Sequence, residues 1–200
     1  HHHSDHIDGI NYLKLKYAPK VIGAKRDKHR LPPLDIEVEE GKQLSIGSKT
    51  FDIYDVDGHT VGHIAYSLSE DKALFTGDSL MVMGCGRLFE GTPEDMWKSL
   101  EKLKQLPQDI MIYSGHEYTK SNIEFAITVD PQNEKLKARR TKELEQLQKG
   151  LPTVPSTLRK ELDTNPFLRE SEMSIVDHLD MVNLDPISRF AKIRALKDNF

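Results

Sequence analysis

The first six residues, His1-His2-His3-Ser4-Asp5-His6, form the pattern His-x-His-x-Asp-His. Neutral imidazole and carboxylate groups are the usual ligands of zinc, iron and manganese ions in proteins. Because alternate residues of an extended segment point the same way, His1 and His3 can share one ion. Asp5 and His6 follow as the chain turns and can face a second ion. The spacing therefore predicts a metal site at the start of the chain.

Three further motifs with His or Asp follow, each at a predicted strand end or in a loop. A glycine beside each candidate ligand lets the backbone approach a crowded site without a Cβ atom. Any one motif alone is more often a turn with a surface histidine, or a helix cap. The ordered set is improbable by chance, so we expect all four motifs to meet in one site. The three motifs are Gly58-His59-Thr60-Val61-Gly62-His63, Phe75-Thr76-Gly77-Asp78 and Ser114-Gly115-His116-Glu117.

Composition limits the class of protein. Of the 200 residues, 37% are hydrophobic and 30% are charged, as in globular proteins. No apolar run approaches the roughly 20 residues that cross a bilayer, so we expect no membrane partner. The net charge of −4 argues against a nucleic-acid partner. The single Cys85 excludes an internal disulfide and favours a reducing compartment, so we expect a cytoplasmic protein. We also expect a monomer.

Strand patterns dominate the first 115 residues. Apolar residues alternate between positions 34 and 56, and segments 62–68 and 72–75 are predicted to form a hairpin. A helix is expected over about 8–17, ended by Pro19, and strands over 20–24 and 109–113. Thr92 followed by Pro93 predicts the start of another helix, with Thr92 as its N-cap.

Helix patterns dominate the remainder of the chain. Residues 131–150 are predicted to form an amphipathic helix ended by Gly150, and Asp185-Pro186 begins a last helix. The basic run 135–140 alternates with acidic residues and is interpreted as a solvated helix face, not as a nucleic-acid surface. We therefore predict a catalytic domain over 1–119 and an α-helical substrate-binding domain over 120–200.

The ordered His and Asp motifs resemble those of the metallo-β-lactamase superfamily, which implies an α+β protein with an αβ/βα sandwich. The resemblance implies that Asp78 bridges two divalent metal ions and that Asp5 and Asp78 are the catalytic carboxylates. Zinc is the expected metal, with iron or manganese as alternatives. His63 is expected to support the site without binding metal. The implied ligands are His1, His3 and His59 for the first ion, and Asp5, His6 and His116 for the second.

Three longer segments resemble one branch of that superfamily, the hydroxyacylglutathione hydrolases or glyoxalases II. That branch has a C-terminal helical domain, and the resemblance also includes Asn165-Pro166-Phe167. It implies hydrolysis of S-D-lactoylglutathione to D-lactate and glutathione by a metal-bridging hydroxide. The segments are Gly84–Thr92, Gly115–Thr119 with Asn122 and Phe125-Ala126, and the terminal Arg194-Ala195-Leu196-Lys197-Asp198-Asn199-Phe200.

The same resemblance implies that the small-molecule substrate, a glutathione thiolester, is bound by Arg87, Phe89, Tyr118, Arg194 and Lys197. The family often has Lys at the position of Arg87 and Tyr at the position of Phe89, so the affinity for glutathione is expected to differ. From the residues alone, Arg194 and Lys197 would be a solvated last helical turn, where cations suit the helix dipole.

Two rival functions share these motifs. One is a glutathione persulfide dioxygenase with a single iron ion, which would be expected to lack the helical region ending in Arg194 and Lys197. The other is a binding module without catalysis, which the loss of a candidate ligand would indicate. Because no strand precedes His1 to hold it, we also expect the natural protein to begin earlier, with further N-terminal strands.

Overall fold

A computed structural model describes residues 1–200. It contains ten β-strands and eight α-helices, joined by turns and three short 3₁₀ segments. The strands are β1 (Ile22–Ala24), β2 (Ile36–Val38), β3 (Gln43–Ile46), β4 (Lys49–Asp55), β5 (Ile64–Leu68), β6 (Ala73–Gly77), β7 (Leu80–Met81), β8 (Gly84–Cys85), β9 (Met111–Ser114) and β10 (Ser156–Thr157). The helices are α1 (Ser4–Ile7), α2 (Ile10–Tyr17), α3 (Pro93–Lys104), α4 (Thr119–Val129), α5 (Glu134–Gln148), α6 (Leu158–Thr164), α7 (Met173–His178) and α8 (Pro186–Asp198).

The main sheet has six strands in the order β10-β9-β6-β5-β4-β3. Its strands pair antiparallel except for β6 and β9, which run parallel and are joined through α3. Since β4 and β6 both pair antiparallel with β5, strands β4, β6 and β9 all run in one direction. Their carboxyl ends therefore lie at the same edge of the sheet, where the chain places the predicted motifs.

Helices cover one face of this sheet and the small parallel pair β1–β2 packs against the other. On the helical face, Leu74 and Ile112 belong to a buried cluster of 20 residues that includes Leu100 and Phe190. On the opposite face, a smaller buried cluster joins the two sheets. Burial of apolar side chains on both faces holds the strand ends in fixed positions.

The start of the chain differs from the prediction of one helix over 8–17. Helix α1 already covers Ser4–Ile7, and α2 begins at Ile10 after Gly9. The prediction relied on apolar spacing, which α1 lacks because two of its four residues are Asp5 and His6. Helix α2 ends at Tyr17, and the next residue, Ala18, has the left-handed conformation directly before Pro19.

The second half of the chain is mainly helical, as expected. No helix in the chain is long and apolar enough to span a membrane. The predicted helix over 131–150 is α5, and the helix after Asp185 is α8. Helices α4 and α7 were not predicted. Strand β10 pairs with β9 and so extends the main sheet. The division at residues 119 and 120 stays a prediction.

The solvated interpretation of the basic run is wrong at one residue. Arg139 is buried and pairs with Glu161 and Glu143. Its neighbour Arg140 is exposed, as predicted. The sequence pattern could not separate the two arginines because Glu161 lies 22 positions along the chain.

Helix α3 begins with a complete capping box, and its first turn can be tested directly. The Thr92 hydroxyl accepts from the Asp95 amide, while the Asp95 carboxylate accepts from the Thr92 amide at 2.8 Å. We expect Thr92→Ala to lower the free energy of unfolding by about 1 kcal/mol, measured by urea denaturation. Thr141→Ala, at an exposed position inside α5, is the control and should change it little. Equal urea midpoints for Thr92→Ala and the wild type would contradict the capping role.

Candidate metal centre

The four motifs meet at the edge of the main sheet where β4, β6 and β9 end. His59 lies in the loop after β4, Asp78 directly follows β6, and His116 lies just beyond β9. Helix α1 brings Asp5 and His6 to the same edge. The prediction that these separate motifs converge is therefore met by the topology of the sheet.

The carboxylate of Asp78 lies at the centre of this group and is 4% exposed. Four imidazole nitrogens surround its Oδ2 atom. The distances from Oδ2 are 3.3 Å to His59 Nε2, 3.4 Å to His6 Nε2, 3.5 Å to His116 Nε2 and 3.8 Å to His1 Nε2. One carboxylate oxygen therefore faces histidines of both predicted groups.

The surrounding side chains form two groups that could each hold an ion. In each group the candidate ligand atoms all lie within 4.8 Å of one another. In the second group, His116 Nε2 is 2.8 Å from Asp5 Oδ2. The first group is His1, His3 and His59, and the second is Asp5, His6, Asp78 and His116.

The site fits divalent cations. Three of its buried polar atoms have no hydrogen-bond partner: His1 Nδ1, His6 Nε2 and Asp78 Oδ1. Buried polar atoms without partners are uncommon in folded proteins and point to an ion or water. Imidazole nitrogens with a carboxylate oxygen are also the donor set that zinc, iron and manganese accept.

Two of the candidate histidine ligands, His3 and His59, are in the protonation state that binds a cation. Burial lowers the pKa of His59 and of His3, so both rings are neutral at pH 7. His59 donates its Nδ1–H to the backbone oxygen of Arg87 at 2.7 Å. That hydrogen bond leaves the Nε2 lone pair of His59 directed toward Asp78.

His63 supports Asp78 from behind and is not in either group, as expected. It is buried and donates from Nδ1 to the Ile64 oxygen at 3.0 Å, while its Nε2 accepts from the Asp78 amide at 3.0 Å. Burial holds the pKa of His63 well below its ordinary value, which keeps this acceptor unprotonated. The ring therefore fixes the backbone that carries the central carboxylate.

Glycine is required where the backbone passes closest to Asp78. A Cβ atom on Gly115 would lie 2.4 Å from Asp78 Oδ1 and 2.8 Å from His6 Cε1. A Cβ on Gly86 would lie 1.9 Å from the Asp78 carbonyl oxygen. Any side chain at either position would displace the site, which is the physical reason for a glycine beside these motifs.

All five predicted substrate-binding residues line one cleft of about 630 Å³, which also reaches His3, His59, Asp5, Asp78 and His116. His1 and His6 do not line it and instead border a separate cavity of about 220 Å³ on the other side. Phe89 lies beside the first group, with its ring centroid 5.2 Å from that of His59. The Tyr118 ring stacks on His116 at 5.3 Å. The five residues are Arg87, Phe89, Tyr118, Arg194 and Lys197.

The cations from α8 enter the cleft and are not a freely solvated turn. Arg194 is 5% exposed and donates to the Cys85 backbone oxygen at 3.1 Å, while its Nε has no partner. Lys197 is half-buried and donates to the Ser121 hydroxyl at 2.9 Å. Asp198 accepts from Arg194 at 2.9 Å and lies 3.4 Å from Arg87. The solvated interpretation of Arg194 is therefore wrong.

The sequence did not predict a network of charged side chains around the buried Asp27, beside the first group. His2 lies between Asp27, at 3.1 Å, and Glu90, at 3.3 Å. Arg30 contacts the same two carboxylates at 2.5 and 2.6 Å. Asp27 is 1% exposed, so this network ties the opening segment to the loop that carries Phe89. The local sequence offers only the Arg30 contact, three residues from Asp27, whereas His2 lies 25 positions away.

Comparison with known proteins defines the class first. A family model described as the metallo-beta-lactamase superfamily matches residues 1–116, and one described as the hydroxyacylglutathione hydrolase C-terminus matches residues 117–200. The crystal structure of the BLEG-1 B3 metallo-beta-lactamase superimposes with a TM-score of 0.62 at 22% identity, over 84% of this chain and 74% of that one. ETHE1 from Myxococcus xanthus gives a TM-score of 0.59 at 24% identity, over 98% of this chain and 73% of that one. The predicted metallo-β-lactamase fold with a C-terminal helical part is confirmed.

Sequence identity to individual relatives then identifies the family within this superfamily. The hydroxyacylglutathione hydrolase of Ruegeria pomeroyi is 54% identical over 200 residues, which are 100% of this chain and 78% of that protein. The chain belongs to the hydroxyacylglutathione hydrolase family, which confirms the resemblance seen in the motifs. The fold and the His and Asp groups together support a bound divalent metal.

The central position of Asp78 generates a direct test. We expect Asp78→Asn to lose most of the bound metal and to lower hydrolytic activity at least about 100-fold, because a neutral amide replaces the only carboxylate facing both groups. Metal analysis of the purified protein and initial rates are the measurements. His29→Ala, at an exposed histidine outside the site, should leave both unchanged. Full metal content in Asp78→Asn would contradict the central role.

Proposed function

We propose that this chain hydrolyses S-D-lactoylglutathione to D-lactate and glutathione. The observation that carries the proposal is a single cleft in which a His and Asp metal centre lies beside Arg87, Arg194 and Lys197. A thiolester carbonyl can reach the centre while the carboxylates of its glutathione part reach these cations. Membership of the hydroxyacylglutathione hydrolase family supports the same reaction.

The reaction needs an activated water and a polarised carbonyl. When bound, divalent cations supply a water that loses a proton near neutral pH and positive charge for the oxyanion that forms. We propose Asp78 as the carboxylate shared by both ions, and His1, His3, His59, Asp5, His6 and His116 as the other ligands. The leaving group is the thiolate of glutathione, which departs without a strong general acid.

We propose that side chains around the cleft bind the substrate. Arg194 lines the cleft, and a guanidinium can bind a carboxylate of glutathione with two parallel hydrogen bonds. Arg87 adds a second, exposed guanidinium. Phe89 and Tyr118 flank the centre and can pack against the acyl and peptide parts of the substrate.

Cys85 lies in the same cleft, but it is not a competing nucleophile. Burial raises the pKa of its thiol to about 11, so it stays protonated at pH 7. The water-dependent route is therefore favoured over a covalent thiolester intermediate on the protein.

Zinc is the metal we propose, with iron or manganese as alternatives, because imidazole and carboxylate ligands accept all three. We further propose a cytoplasmic monomer acting on a small molecule and not on nucleic acid. The net charge of −4 and the free, buried Cys85 support this proposal. Light scattering at working concentration would test the monomer.

The activity is tested by following loss of the thiolester absorbance of S-D-lactoylglutathione, with metal content measured on the same sample. We expect turnover with close to two metal ions per chain, because two ligand groups are complete. No thiolester cleavage, one iron per chain and oxygen uptake with glutathione persulfide would instead support the dioxygenase. Absence of both activities in metal-loaded protein would contradict an enzymatic function and favour a binding module.

The cations of α8 provide a second test. We expect the double substitution Arg194→Ala and Lys197→Ala to raise KM at least about tenfold with a smaller effect on kcat, because both side chains bind the remote part of the substrate. Steady-state kinetics are the measurement. The matched control is Arg140→Ala with Lys142→Ala, which removes the same charge from exposed positions on α5. Equal KM values for the two double variants would contradict the glutathione-binding role.

A further inference from the structure

The short hairpin formed by β7 and β8 links the metal centre to the substrate-binding side of the cleft. It begins two residues after Asp78 and ends two residues before Arg87. Its ladder consists of two residue pairs, and Met83 at its turn has a φ of +52°, which non-glycine residues rarely adopt. A ladder this short does not hold its own conformation in isolation, so contacts from outside must fix it.

One such contact is the carboxylate of Glu161 on α6, which is fully buried. Its Oε2 accepts from the Met83 amide at 2.7 Å and from the Asn165 side-chain amide at 3.2 Å. Its Oε1 accepts from Arg139 at 2.7 Å and from the Ser156 hydroxyl at 2.6 Å. Both oxygens are thus used, one by the hairpin and one by the helical half of the chain.

Asn165, directly after α6, makes the second contact. Its side-chain nitrogen donates to the backbone oxygens of Met81 at 3.2 Å and Gly84 at 3.0 Å. Its side-chain oxygen accepts from the Phe167 amide at 3.0 Å and so caps the following turn. Glu161 and Asn165 together hold backbone groups at three of the hairpin's positions.

The hairpin in turn fixes the substrate-binding cation. The backbone oxygen of Cys85, at the end of β8, accepts from Arg194 at 3.1 Å. Asp78, at the other end, has separate support from the His63 ring and from the adjacent strands. A shift of the hairpin would therefore displace the backbone acceptor of Arg194 directly, while Asp78 keeps its own support.

We propose that Glu161 and Asn165 are positioning residues, which set the glutathione-binding side of the cleft by holding the β7–β8 hairpin. Neither side chain lines the cleft or touches either metal group. The inference rests on the proposed hydrolysis. It assigns the helical half a role beyond supplying residues that touch substrate, since it shapes the loop between Asp78 and Arg87 as well.

The test compares two isosteric substitutions, each of which neutralises one carboxylate partner of the buried Arg139. In Glu161→Gln, the side-chain amide nitrogen replaces one of two oxygens that both accept hydrogen bonds, so a donor faces donors there. Glu143→Gln changes only the 3.3 Å partner of Arg139 Nε. Both variants keep one carboxylate beside Arg139, but only Glu161 also contacts the hairpin. The metal-loaded proteins are compared for kcat, KM, metal content and thermal unfolding.

We expect Glu161→Gln to raise KM for S-D-lactoylglutathione on the order of tenfold, from the loss of a hydrogen bond to a charged acceptor. We expect kcat and metal content to stay within about twofold of the wild type, because Asp78 is held independently. Glu143→Gln should match the wild-type KM, because Glu143 contacts Arg139 and not the hairpin. Equal KM values in Glu161→Gln and Glu143→Gln would overturn the proposal.

Asn165→Ser is the second variant and decides the question if Glu161→Gln does not fold. Serine can still cap the turn at Phe167, but it lacks the donors that reach Met81 and Gly84. We expect the same rise in KM with kcat retained, and a wild-type KM would count against the proposal. Failure of the wild type itself to hydrolyse the thiolester would refute the proposed function instead, so the two failures are distinguishable.

Discussion

The rest of the structure depends on one nearly buried carboxylate, that of Asp78, surrounded by four imidazole nitrogens within 3.8 Å. A buried charge is costly unless an opposite charge or hydrogen bonds compensate it. Burial lowers the pKa of the neighbouring His59, so that ring is neutral and does not supply the compensation. Bound cations would compensate the buried carboxylate and accept the free lone pairs of its neighbours. This explains why several buried nitrogens and oxygens there have no partner in the protein.

This constraint extends outward through the backbone. For Asp78 to reach both groups, strand β6 must end beside β9, and the crossing chains must carry glycine at Gly86 and Gly115. The His63 ring accepts a hydrogen bond from the Asp78 amide, and a hydrogen bond to the Arg87 carbonyl orients the His59 ring. The loop that carries Arg87 is therefore coupled to a candidate ligand of the first ion. Metal binding and substrate binding share one segment of backbone, which suits a reaction at a carbonyl held between them.

Local signals in the sequence were sufficient where neighbouring residues decide the structure. The Thr92 capping box and the Asp185 cap both lie where the residue types predicted them, because a helix start depends on the next three residues. Helix α4 was missed because its residues had been interpreted as part of the His116 motif and because β-branched residues weaken its helical signal. Arg139 was misjudged because its compensating charge on Glu161 comes from a different helix.

The sequence by itself determined which atoms could bind metal, their order along the chain and the family to which they belong. Those properties depend on residue types at short spacings, which folding does not alter. Only the tertiary structure decided that Arg194 is buried against Cys85, and that Asp27 and Glu161 support the site. These contacts join segments up to 109 positions apart. Pairings at that range leave no local periodicity, because they arise from how the strands and helices pack.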